Sequence, residues 1–119
     1  MRELLRDIKW LMGMFEEALI IQMDAIKELR AAPDDFPTQL QVYSSQQHIE
    51  EEYGELLEKL AAARAAGLME SAQYPFLRGI DERLDELRGR FNFVKTVSRD
   101  MLPCEMFRFA EAGILQETT

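Results

Sequence analysis

From Arg2 to Ala32 the chain carries no proline and a single glycine, and its apolar residues return every third or fourth position. That spacing lines them along one side of a helix at 3.6 residues per turn; a half-buried strand needs strict alternation instead. A helix of this length, roughly 45 Å at 1.5 Å per residue, gains most of its stability by burying its apolar stripe along neighbouring elements. Leu4, Leu5, Ile8, Leu11, Met12, Phe15, Leu19, Met23, Ile26 and Leu29 fall within roughly 60° of one line and form a core stripe. Trp10, Met14 and Ile21 fall near the opposite side, with Ala18 between the faces and Glu17 inside the second cluster. Either this helix is central and covered all round, or the second face is an interface for a twin or for another protein.

Turn residues divide the remainder. Pro33 ends the first run, and "APDDFPTQ" is the clearest loop. Thr38 and Gln41 have capping-box spacing, so a second helix is expected to start there and to end at Gly67. "MESAQYP" is a second connection, and Pro75 suits the first turn of a third helix running to about Met101. "LPCEMFRFAEAG" reads as a short fourth helix opened by Pro103 and closed by Gly113. The second helix has a narrower stripe of Ile49, Tyr53, Leu56, Leu57 and Leu60. The third has Phe76, Leu77, Ile80, Leu84, Leu87, Phe91 and Val94, with Phe93 off that line in a small separate cluster. The expected fold is a single all-α domain over residues 1–119, a small antiparallel bundle of three long helices plus a short C-terminal helix.

Charge narrows the function classes. Twenty-two acidic residues against 14 basic ones give a net charge of −8, which argues against nucleic acid, because phosphate binding needs a concentrated cationic surface. The basic residues are scattered, so no polybasic membrane signal forms. The longest apolar segment, Leu11 to Ile26, is broken by Glu16, Glu17, Gln22 and Asp24, and "MRELLRDIKWLM" lacks an unbroken export core. A cytoplasmic protein that does not engage a membrane is expected. Cys104 is the only cysteine, so neither an intrachain disulfide nor a cysteine zinc site can form, and a buried structural thiol is expected there.

"HIEEEYGELLEKL", from His48 to Leu60, and "DERLDEL", from Asp81 to Leu87, carry the one set of residues with a familiar chemistry. Glu52 and Glu55, with Glu82 and Asp85, resemble the paired acidic motifs of the MazG-like all-α nucleotide pyrophosphohydrolases. The resemblance implies Mg²⁺ held by four carboxylates and a nucleoside triphosphate cut to monophosphate and pyrophosphate; a hard cation of this kind activates water against phosphorus. Helix phase opposes that arrangement. Glu55, Asp85 and Glu82 lie roughly 145°, 130° and 170° from their helices' apolar lines, and Glu52 roughly 85°. His48 is one turn from Glu51 and Glu52, which suggests an ion pair or an exposed imidazole. No phosphate loop, Ser/His/Asp set or nucleotide fingerprint is present.

The residues therefore favour a domain without a catalytic, metal or cofactor site that acts by binding protein, as a regulatory antagonist (an anti-activator of a transcription regulator, for example) or a chaperone, and as a homodimer. Its partner is a protein whose identity the sequence does not name. The contact is expected at Trp10, Met14 and Ile21, with Phe107 and Phe109 as secondary positions. The competing reading is the Mg²⁺-dependent pyrophosphohydrolase.

Overall fold

The computed structural model describes residues 2–70 and 74–111, the side chains of residues 70 and 108–111 excepted. It is built from α1 (Arg2–Ala31), α2 (Phe36–Ala65), 3₁₀ turns at Leu68–Glu70 and Pro75–Gly79, α3 (Ile80–Met101) and the short α4 (Cys104–Glu111). Among the described residues there is no strand, and no helix is long and apolar enough to cross a membrane.

Local chemistry sets the boundaries, with one difference from expectation at the start of α2. The cap of α2 is Asp35, not Thr38. Asp35 has extended backbone angles, and its carboxylate accepts the Thr38 N–H at 3.2 Å, which satisfies a donor that no helical carbonyl can reach. Pro37 then sits in the first turn, where no N–H is needed. The third long helix runs from Pro75 to Met101 as expected, with its first turn, Pro75–Gly79, wound as 3₁₀ ahead of α3. At the far end of α2, Gly67 takes φ 73°, a left-handed angle open to glycine without strain, and the chain turns there as expected. Leu102 is extended ahead of Pro103, which separates α3 from α4. The expected closure of α4 at Gly113 lies outside the described residues.

The core gathers around Phe15, fully buried and stacked on Tyr53 of α2, with Phe91 of α3 tilted beside it and itself stacked on Tyr53. Ile8, Leu11 and Leu19 of α1 meet Leu56 and Leu60 of α2 and Leu84 and Leu87 of α3 in this cluster. A smaller cluster, Ala25, Leu29, Val42, Leu102 and Met106, closes the other end. Contacts along α1 descend along α2: Asp7 meets Lys59, Phe15 meets Tyr53, and Gln22 meets Gln46 and Val42.

A polar layer accompanies the change from one cluster to the other. Gln22, fully buried, donates to the Val42 carbonyl at 3.0 Å, to Ser98 Oγ at 3.1 Å and to Gln46 Oε1 at 3.3 Å. One side chain of α1 thus ties α2 and α3 together. Sliding either helix breaks these bonds in a low-dielectric interior, so the layer selects register. Met23, expected in the core, is instead 36% exposed. It lies at the margin of the stripe, whereas Gln22 lies near its middle.

The Cα envelope measures 52 × 27 × 17 Å. With Trp10 63% and Ile21 52% exposed, α1 is not covered all round, and the central-helix alternative fails.

Candidate interaction surfaces

Two apolar surfaces remain uncovered on the described structure. The first is the outer face of α1. Trp10 is 63% exposed and Ile21 52% exposed, with Met14 half-buried between them. Ile21 lies eleven positions after Trp10 on the helix, so the stripe is about 16 Å long. Glu3, Arg6, Glu17, Asp24 and Glu28 share this side of the helix by phase, and all are exposed. Among the described residues none of these four carboxylates makes an ion pair. Asp7 shares the side too but pairs with Lys59 at 3.7 Å, and Lys9, farther round the helix, lies over the Phe76 ring at 5.2 Å. The face is therefore an apolar stripe in an acidic border.

The secondary positions are different. Phe107 is half-buried and meets Tyr43 edge-on, with ring centroids 5.6 Å apart, against the smaller core cluster. Its ring is largely committed to holding α4 in place. Phe109 belongs to α4, and its side chain lies outside the described residues.

The second surface was not foreseen as a unit. Leu19, Ile20 and Met23 of α1 and Gly89 and Phe93 of α3 line a groove of about 550 Å³, with Glu86 and Arg90 at its rim. Ile20 and Phe93 stand out of it at 55% and 49% exposure. Gly89 is exposed on its lining, and a methyl group there would meet no atom within 4 Å. Phe93 was recognisable as an off-stripe residue, and glycine inside a helix was the other available signal. Because that methyl is free of clashes, Gly89→Ala is expected to raise stability by about 0.5–1 kcal/mol through helix propensity, read as a higher urea midpoint.

Charges around this groove are paired. Arg83 bonds to Glu16 of α1 and, at 3.0 Å, to Glu86; Arg90 bonds to Glu86 at 3.2 Å. The hydrogen bond that Arg83 donates to Glu16, followed by the attraction between their charges, holds the guanidinium above its ordinary pKa.

The acidic motifs do not assemble. Glu52 is buried, and its Oε1 lies 2.7 Å from His48 Nε2. Glu55 and Glu82 are exposed, and Asp85 is turned to Arg88 at 3.2 Å. Among the described residues no three His, Cys, Asp or Glu side chains converge as a metal site. Cys104, expected to be buried, is exposed at the start of α4. His48 has a structural task instead. His48→Ala would leave both oxygens of a buried carboxylate without a partner and is expected to cost about 1–3 kcal/mol in chemical denaturation; His48→Gln, which keeps a donor, should recover much of it.

The chain matches no family model, no curated protein and no solved structure.

Proposed function

We propose that the protein works by binding another protein along the outer face of α1, as a regulatory antagonist or chaperone that covers its client's contact helix. The observation that carries this reading is the exposed Trp10–Met14–Ile21 stripe bordered by unpaired carboxylates. An exposed tryptophan beside an exposed isoleucine buries much area in few residues, the composition of binding hot spots. The acidic border selects the occupant. A cationic amphipathic helix would lay its apolar side on the stripe and its lysines and arginines against Glu17, Asp24 and Glu28, whereas an acidic or neutral helix would leave those charges facing nothing. Such a helix is the kind of element by which a regulator touches nucleic acid or its own twin, so covering it would silence the regulator. Substituting Trp10 and Ile21 by glutamate should abolish binding while leaving helix content unchanged.

The pyrophosphohydrolase reading lacks a gathered ligand set in this chain. With Mg²⁺ and a panel of nucleoside triphosphates, no pyrophosphate release is expected. Turnover that disappears in Glu55→Ala would restore the enzyme reading.

A further inference from the structure

The groove between α1 and α3 lies on a different side of α1 from the outer stripe, and its electrostatics differ. A protein of net charge −8 repels its own copies, most strongly where unpaired carboxylates would face one another. Around the groove that repulsion is cancelled locally, because Glu16, Arg83, Glu86 and Arg90 form a chain of two anions and two cations bonded to each other. The same surface also carries both halves of a fit. Phe93 projects on α3 at 49% exposure, and one turn before it Gly89, without a side chain, lines the groove. A two-fold axis brings the same patch of each copy together, so a patch with its own knob and its own hole complements itself. Foreign helices need no such internal neutrality; a second copy of an acidic chain does.

We propose that the α1/α3 groove seats a second copy of this chain, with Phe93 of each protomer entering the hollow over Gly89 of the other and Ile20 and Met23 closing the seam. Self-association and client binding then use separate surfaces, and this inference stands whether or not the outer face of α1 binds a client. The two respond oppositely to salt. An apolar, locally neutral seam between two acidic molecules tightens as salt screens their overall repulsion, whereas attraction between an acidic border and a cationic helix weakens.

Sedimentation equilibrium on the full chain tests this over a wide concentration range, at low and at high salt. A wild-type dimer is expected, tighter at high salt. Phe93→Glu and Ile20→Glu should each weaken it by about tenfold or more, and Trp10→Glu should leave it unchanged. Phe93 and Ile20 are exposed, so circular dichroism should show both variants folded. A monomer at every concentration overturns the proposal. So does a dimer that survives both groove substitutions, or one that Trp10→Glu breaks.

Discussion

Phe15→Ala is expected to lower the unfolding free energy by about 3–5 kcal/mol, the range for truncating a buried aromatic ring. A single domain has only about 5–15 kcal/mol in total, so much of the stability rests on this ring. Phe15 is fully buried, and its ring centroid lies 5.3 Å from that of Tyr53 and 5.9 Å from that of Phe91. The Tyr53 and Phe91 rings in turn stack at 4.4 Å, so three helices meet in one aromatic cluster. Removing the α1 ring leaves a void that two rigid neighbours on different helices cannot fill without moving apart. Urea unfolding followed by circular dichroism should show the midpoint fall steeply. Tyr53→Phe keeps the ring and loses only the hydroxyl that accepts from Arg88, so it should change stability much less.

Trp10→Glu combined with Ile21→Glu is expected to weaken binding of a cationic amphipathic helix by about 100-fold or more, as loss of two hot-spot anchors does. Both side chains are largely in solvent, so little folding energy depends on them. The thermal midpoint should stay near wild type, which separates loss of a contact from loss of the fold. Glu17→Lys with Asp24→Lys leaves the apolar stripe intact and reverses part of its border. It should slow association and flatten the salt dependence, because bordering charges act mainly on encounter.

The helices were legible in the sequence because breakers and caps act locally. Pro33 and Gly67 mark where helical order stops, and Pro103 marks the step between α3 and α4. Thr38 has the more familiar capping spacing, yet an aspartate two residues before Pro37 meets the same need, and Asp35 takes the role. By composition Gln22 interrupts an apolar run. Its position, seven residues after Phe15 and four before Ile26, already puts it in the middle of the buried stripe, and only its polarity kept it out. Met23 is the converse case: its chemistry suits the core, but its phase is marginal and it is 36% exposed. The groove depends on how far apart α1 and α3 stand, which no single helix encodes, although Gly89 and Phe93 on one side of α3 were a trace of it. The outer stripe was visible from the start because three large apolar residues opposite a complete core stripe have no use inside a thin bundle.

Trp10 is the only tryptophan in the chain, so its fluorescence reports directly on the surface proposed to bind. The decisive measurement titrates the protein with a helical peptide of alternating leucine and lysine faces, and with its leucine and glutamate counterpart, at low and high salt. The account predicts a blue shift of Trp10 emission with the lysine peptide, weakened by salt, and none with the glutamate peptide. No shift with either peptide, or an equal shift with both, would contradict it.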